Sequence, residues 1–114
     1  MKIYLDDKRD IPDGWVGARS ATEFIKIILS NHNDIEAISF DNDLGAGMEG
    51  WEILKWISEQ FPELFRPEID IEIHSANSSA RENMEGKLIF YREHWNELVE
   101  AKDKPSPFDE LKNK

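Results

Sequence analysis

The sequence predicts an α/β fold with a short, mainly parallel sheet of about four strands. Short apolar runs of the kind that form strands alternate along the chain with amphipathic helical patterns. Each longer predicted strand also ends abruptly in polar side chains, and in a parallel sheet these ends lie at the same edge. Parallel neighbours are joined by crossovers, so we expect helices to cover the sheet.

The first half of the chain shows strand, turn and helix signals in that order. Its predicted elements are a strand at Lys2–Leu5, a loop at Lys8–Gly17, a very short strand at Val16–Arg19 and a helix that ends near Asn31–Asn33. Pro12 and Gly14 give the loop its turn chemistry. Ser20 and Glu23 fit a capping box, which predicts where the helix begins.

The second half repeats the alternation. Its predicted elements are a strand at Ile35–Phe40, a loop at Leu44–Gly47, a helix through Trp51–Ile57 that ends at Phe61-Pro62, a strand at Ile69–Ile73 and a long last helix. Acids alternate with isoleucine in the fourth strand, which suggests an edge position. Ser79 and Glu82 fit a capping box for the last helix. We expect one domain over residues 1–101, followed by a polar tail over residues 102–114.

Composition excludes several classes of protein. The 114 residues carry 24 acids against 14 Lys and Arg, for a net charge of −10, and contain no cysteine. The acid excess argues against binding duplex DNA or an anionic membrane surface, and the lack of cysteine excludes thiolate chemistry. We expect a cytoplasmic protein. Residues 34–72 hold eleven of the acids, and this surface could engage a basic protein partner.

Polar side chains collect where the predicted strands end. Asp6 and Asp7 close the first strand, Asp41 and Asp43 the third, and His74 and Ser75 the fourth. Gathered carboxylates repel each other unless a cation neutralises them, so Asp6, Asp7 and Asp41 are candidate ligands for Mg²⁺ or Mn²⁺. Alternatively, one of the paired aspartates caps the following turn.

The other polar residues near this edge suit a phosphate ligand. His74 is a candidate general acid or base, although it could simply be a polar group satisfied within the fold. Arg9 and Arg19 carry the guanidinium geometry that binds phosphate. Ser75 and Asn77 could donate hydrogen bonds to it, or Asn77 could shape the turn into the last helix.

The motifs resemble a known family. The positions of Asp6, Asp7, Asp41 and Ser75 resemble the site of the response-regulator receiver domain. By that resemblance Asp6 and Asp7 would be metal ligands, Asp41 the phosphoacceptor and Ser75 the hydroxyl that contacts the phosphate. The segment after Asp7 is too short for the first helix of a receiver, and the fifth strand with its lysine is missing.

A closer similarity is to the cyclic-phosphate-processing receiver family. It rests on Tyr4-Leu-Asp-Asp7, Pro12-Asp-Gly-Trp15, Arg19, Ile38-Ser-Phe-Asp-Asn-Asp-Leu-Gly45, His74-Ser-Ala-Asn77 and Arg81-Glu-Asn-Met84.

This resemblance implies a three-layer, flavodoxin-like receiver fold in which a loop replaces the first helix. It also implies a site made of Asp6, Asp7, Asp41, Asp43, His74 and Asn77 that processes a cyclic phosphate. The sequence departs from the family pattern at Asn42, where a histidine is expected, and at Ser78-Ser-Ala80.

Three functions follow, in order of preference. The first is a metal-dependent phosphoesterase that acts on a cyclic nucleotide or an RNA end, with catalytic residues His74, Asp41 and Asp43. The second is a receiver phosphorylated on Asp41, with Lys8 as the nearest lysine. The third is a non-catalytic module that binds a nucleotide or a protein.

Overall fold

Four parallel strands form one sheet in the computed structural model, which describes residues 1–44 and 47–103. The elements are β1 (Lys2–Leu5), β2 (Val16–Ala18), α1 (Ala21–Asn31), β3 (Ala37–Phe40), α2 (Gly50–Gln60), a 3₁₀ turn (Pro62–Phe65), β4 (Asp70–Ile73), α3 (Ser78–Glu93) and α4 (Trp95–Asp103). The strand order is β2-β1-β3-β4, so β4 is an edge strand, as its alternating acids predicted. The receiver-like α/β fold is confirmed.

The strand register separates an apolar face from a polar one. Ile3 of β1 is level with Ile38 of β3, which is in turn level with Ile71 of β4. Because side chains alternate along a strand, these isoleucines share one face of the sheet. The ring of Phe24 in α1 lies 5.5 Å from the ring of Phe40. The buried side chains of the helices and this face form one apolar core.

The opposite face carries Tyr4 and Ser39, which are level with each other in β1 and β3. A loop joins β1 to β2, as predicted. Trp15 of this loop meets the ring of Tyr4 edge-on at 6.0 Å, and the ammonium group of Lys2 lies 5.9 Å from the Trp15 ring. The loop therefore covers part of the face where a helix would otherwise pack.

The first two helices begin and end close to the predicted positions. The hydroxyl of Ser20 accepts a hydrogen bond of 3.2 Å from the backbone N–H of Glu23, which caps α1. Helix α2 ends at Gln60, because Pro62 cannot continue an α-helix. No helix of the described residues is both long and apolar enough to cross a membrane.

The last helix differs from the prediction at both ends. Asn77, rather than Ser79, is the N-cap of α3, and its Oδ1 accepts a hydrogen bond of 3.1 Å from the N–H of Ala80. The expected long helix is divided at His94 into α3 and α4. The break lets α4 pack against α2 and the 3₁₀ turn, and tertiary packing of this kind overrides local propensity. Lys102 and Asp103 belong to α4 rather than to a tail, while residues 104–114 and Gly45–Ala46 lie outside the described residues.

The start of α2 packs tightly against the end of β3, and we expect Gly50→Ala to be destabilising. A Cβ at position 50 would lie less than 3 Å from the backbone oxygen of Asp41 and 2.9 Å from Cα of Asn42. The backbone has to shift to make room, which costs about 1–3 kcal/mol of unfolding free energy. Urea unfolding monitored by tryptophan fluorescence measures this loss.

Gly86→Ala is the matched control, because a Cβ at this position in α3 meets nothing within 4 Å. Alanine is a better helix former than glycine, so this variant is expected to gain roughly 0.5–1 kcal/mol. Equal effects of the two substitutions would contradict the close packing at Gly50.

Candidate functional site

Three ionisable side chains lie side by side at the carboxyl ends of neighbouring strands. Asp6, Asp41 and His74 directly follow β1, β3 and β4. The hydrogen bonds between strands extend to these residues. The N–H of Asp41 donates to the backbone oxygen of Leu5 at 2.9 Å, and the N–H of His74 donates to the backbone oxygen of Phe40 at 2.8 Å. One ligand atom from each of the three side chains lies within 4.8 Å of the others. We call Asp6, Asp41 and His74 the strand-end cluster.

Asp6 is the most constrained member of the strand-end cluster, with only 1% of its surface exposed. Its Oδ1 accepts hydrogen bonds of 2.8 Å from the backbone N–H groups of Lys8 and Arg9. Its Oδ2 lies 3.0 Å from Nε2 of His74. Burial alone would raise the pKa of Asp6, but the two backbone N–H groups and His74 together lower the pKa below its usual value.

The pKa of Asp41 is shifted in the opposite direction to that of Asp6. Its Oδ1 accepts one hydrogen bond, of 2.8 Å, from the N–H of Asn42. Burial raises the pKa of Asp41, and the negative charge of Asp6 raises it further. Adjacent carboxylates whose pKa values are pushed apart are typical of functional sites. A cation shared by the two carboxylates would relieve the repulsion between them.

His74 is held by three contacts. Its Nε2 lies 3.0 Å from Oδ2 of Asp6, and its Nδ1 lies 2.7 Å from Oγ of Ser39. Its ring stacks on Tyr4 with a centroid separation of 4.4 Å and an interplanar angle of 8°. Ser39 and Tyr4 lie in the motifs that carry the family resemblance, but the sequence analysis assigned neither a role in the site. The signal that could have found Ser39 is a single hydroxyl between apolar residues in the predicted strand Ile35–Phe40.

Asp6 and Asp41 of the strand-end cluster line a cavity of about 350 Å³, whereas His74 is not among the described residues that line it and reaches it through its contact with Asp6. The described residues that line it are Asp6, Asp7, Lys8, Arg9, Asp41, Asp43 and Ala76. Four carboxylates thus face two cationic side chains. The guanidinium of Arg9 lies across the site, with Nη1 donating to the backbone oxygen of His74 at 2.8 Å and Nε lying 3.7 Å from Oδ2 of Asp6. Asp7 and Asp43, both candidates from the sequence, lie in the cavity wall.

Three residues predicted to contact phosphate are engaged elsewhere. Nη1 of Arg19 donates to the backbone oxygens of Asp6 at 3.3 Å and Arg9 at 2.5 Å, so Arg19 braces the loop after β1. Ser75 is buried, and its Oγ accepts a hydrogen bond of 3.3 Å from the N–H of Asn77. Asn77 caps α3. None of the three is among the described residues that line the cavity.

Asn42, which replaces the histidine expected from the resemblance, is directed toward α2. Its Oδ1 accepts a hydrogen bond of 3.3 Å from the N–H of Trp51, and its side chain is buried. It is likewise not among the described residues that line the cavity. The side chain of Asn42 thus attaches α2 through Oδ1, and its Nδ2 donates a hydrogen bond of 3.4 Å to Oδ1 of Asp43 in the cavity wall.

Comparison with protein families gives one result that covers most of the chain. The model of the cyclic-phosphate processing receiver domain matches residues 1–89, which include all four strands and the whole strand-end cluster. Comparisons with curated proteins and with solved structures found no match. The match spans well over half of the sequence, and the described fold agrees with it. The chain belongs to the cyclic-phosphate processing receiver domain family.

Proposed function

We propose that this protein is a metal-dependent phosphoesterase that acts on a cyclic or terminal phosphate of a nucleotide or an RNA end. The observation that carries the proposal is the strand-end cluster, two of whose members, Asp6 and Asp41, line a cavity of about 350 Å³. Cavities of roughly 300–1,000 Å³ are typical of sites for small molecules. The family's link to cyclic phosphates supports a ligand that contains phosphate.

The charges of the cavity wall support a requirement for a cation. A phosphate group would meet four carboxylates and, among the described residues that line the cavity, only Lys8 and Arg9 as cationic partners. Repulsion from this excess of negative charge opposes phosphate binding unless a further cation is present. Carboxylate oxygens are the donors that Mg²⁺ and Mn²⁺ prefer, so the side chains present fit such an ion.

The candidate ligands are Asp6, Asp41 and Asp7. Oδ1 of Asp6 already accepts two backbone hydrogen bonds, which leaves Oδ2 facing the other members of the strand-end cluster. Asp7 lies in the same cavity wall and completes an oxygen donor set. A divalent ion held there would polarise the phosphoryl group and lower the pKa of a water molecule.

The remaining side chains have roles that follow from their positions. His74 directs Nε2 at the strand-end cluster, where it can move a proton to or from a reacting oxygen. Arg9 can hold a non-bridging phosphate oxygen, because its side chain lines the cavity. Asp43 can orient a water molecule from the rim.

The test is a metal-dependent screen of turnover. The substrates are 2′,3′-cyclic nucleotides, 3′,5′-cyclic nucleotides and RNA ending in a cyclic phosphate, each with Mg²⁺, with Mn²⁺ and with chelator. We expect turnover of at least one class that depends on the divalent ion. His74→Ala should lower that turnover about a hundredfold, the usual contribution of a general acid or base. An imidazole can carry a proton or bind the metal ion, and calorimetry with Mn²⁺ separates these two roles. Loss of a proton carrier leaves the affinity for Mn²⁺ unchanged, whereas loss of a metal ligand lowers it.

His94→Ala is the matched control. His94 lies between α3 and α4, where its Nδ1 contacts Glu97 at 3.1 Å, whereas His74 contacts Asp6 of the cavity wall. Loss of the His94 imidazole should leave turnover unchanged. Absence of turnover with every substrate and ion, or full turnover by His74→Ala, would contradict the proposal.

Lys8 favours one alternative. It shares the cavity wall with Asp41, and a receiver needs a nearby lysine to stabilise an acyl phosphate. Incubation with acetyl phosphate and Mg²⁺ followed by mass spectrometry tests this function. A stable mass gain that is lost in Asp41→Asn would support phosphorylation on Asp41. Nucleotide binding in the calorimeter without any turnover would instead support a binding module.

A further inference from the structure

Ser39 is a polar residue in the most buried strand of the sheet. All four residues of β3 are buried, and the other three are Ala37, Ile38 and Phe40. Ser39 has 2% of its surface exposed. Removing a hydroxyl from water costs free energy unless it forms a hydrogen bond. Within the described residues its side-chain partner is Nδ1 of His74, at 2.7 Å. The hydroxyl is thus satisfied by the imidazole.

The strand register explains why this contact has a defined direction. Ser39 is level with Tyr4 of β1 and Glu72 of β4, below the strand-end cluster. The two nitrogens of an imidazole lie on different edges of the ring. Because Ser39 holds Nδ1 from below, Nε2 is directed upward at Oδ2 of Asp6, 3.0 Å away. Stacking on Tyr4 fixes the plane of the ring.

The donors and acceptors around the ring select one tautomer. A carboxylate can only accept a hydrogen bond, so Nε2 carries the proton that faces Asp6. In the neutral ring Nδ1 then accepts, and the hydroxyl of Ser39 donates to it. An alanine at position 39 would remove this donor, so that Nδ1 would lose its partner and the ring one of its three contacts.

We infer that Ser39 is a positioning residue, whose hydroxyl holds the His74 imidazole with Nε2 facing Asp6 in the cavity wall. Its effect on turnover rests on the proposed function, whereas its effect on the ring does not. The effect on turnover and the effect on the ring can therefore be tested independently. The same geometry makes Ser39→Thr the conservative variant, since threonine keeps a hydroxyl and favours a strand.

The first experiment is nitrogen-15 NMR of the histidine side chains in chelator-treated protein, near pH 8, where an ordinary histidine is neutral. In the wild type we expect one tautomer of His74, with the proton on Nε2, and nuclear Overhauser contacts between the rings of His74 and Tyr4. Ser39→Ala should shift the Nδ1 signal of His74 and weaken its contacts with the Tyr4 ring, while the proton stays on Nε2 beside Asp6. Ser39→Thr should restore the wild-type pattern. An unchanged His74 signal in Ser39→Ala would overturn the inference whether or not the protein has any turnover.

The second experiment measures turnover of the substrate found in the screen. Loss of an outer partner of a site residue typically costs 10–100-fold in activity, so Ser39→Ala should lower kcat by about that factor with little change in KM. The double variant Ser39→Ala/His74→Ala should be no slower than His74→Ala alone, because Ser39 acts through the imidazole. A further loss of about tenfold in the double variant would show that Ser39 acts by another route.

Ser58→Ala controls for the general cost of removing a buried hydroxyl. Ser58 lies in α2, is also buried, and donates a hydrogen bond of 2.6 Å to the backbone oxygen of Lys55. Its replacement should change neither the His74 signals nor kcat. If it changes them as much as Ser39→Ala does, the effect is structural and the positioning role is excluded.

Discussion

Replacing Asp41 by asparagine is expected to lower divalent-dependent turnover about a thousandfold, since a bound metal ion supplies several kcal/mol of transition-state stabilisation. Asparagine keeps the acceptor for the N–H of Asn42, so the local backbone geometry is retained. It removes the negative charge that we propose to hold the ion. Turnover of the best substrate from the screen, measured over a range of Mn²⁺ concentrations, gives both the loss in kcat and the loss in metal affinity.

The same substitution is expected to stabilise the metal-free fold at neutral pH. Burial and the charge of Asp6 raise the pKa of Asp41 above 3.8, so the folded state binds this proton more tightly than the unfolded state does. The stabilising effect of the proton is complete below the unfolded pKa and is lost as the pH rises through the folded pKa. The asparagine side chain is neutral at every pH. The variant therefore gains unfolding free energy over the wild type at pH 7 and gains none at pH 3.

Urea unfolding at the two pH values measures this difference, and Asp70→Asn is the charge-matched control. Asp70 is exposed at the opposite end of β4, so its loss removes the same charge from a place remote from the strand-end cluster. A variant that loses activity and gains stability is typical of a residue kept for function. Equal stability of wild type and Asp41→Asn at pH 7 would contradict the electrostatic account of the pair.

The strand-end cluster could be predicted because its residues mark strand ends. Asp6, Asp41 and His74 each directly follow a predicted strand, and parallel strands bring such positions to one edge. No pairing information beyond the parallel topology was needed. The directions of neighbouring side chains were harder to predict. Ser75 follows His74 by one residue, but it is buried and its Oγ accepts a hydrogen bond from the N–H of Asn77, which its position after the strand did not indicate.

The end of β4 and the last helix show where local signals compete. Asn77 and Ser79 are both good N-caps, and Ser79 has a glutamate three residues later, which favoured it from sequence. The chain uses Asn77 because its Oδ1 reaches the N–H of Ala80, and this depends on how the chain leaves the sheet. The break at His94 has no local signal. The apolar spacing continues from Tyr91 through Trp95, and the turn is decided by packing of α4 on elements distant in sequence.

Asp6→Ala is expected to cost about 1–3 kcal/mol of unfolding free energy, the range observed when buried hydrogen-bond donors lose their acceptor. The backbone N–H groups of Lys8 and Arg9 would lose the carboxylate that accepts from both at 2.8 Å. His74 would lose its partner at Nε2. Urea unfolding at pH 7 in chelator measures the loss. Asp7→Ala is the control, because the neighbouring side chain lies in the cavity wall and its loss should cost less than about 0.5 kcal/mol.

The stability that Asp6 contributes depends on pH with the opposite sign to the stability that Asp41 contributes. The pKa of Asp6 lies below 3.8, so its contribution to stability is complete above the unfolded pKa and is lost as the pH falls through the folded pKa. The difference between wild type and Asp6→Ala should therefore shrink as the pH is lowered below 3.8, whereas Asp41→Asn gains its advantage as the pH rises. Two carboxylates in one cluster would then respond to pH in opposite directions. A difference between wild type and Asp6→Ala that stays constant down to pH 2 would show that Asp6 stabilises the fold by packing rather than by its charge.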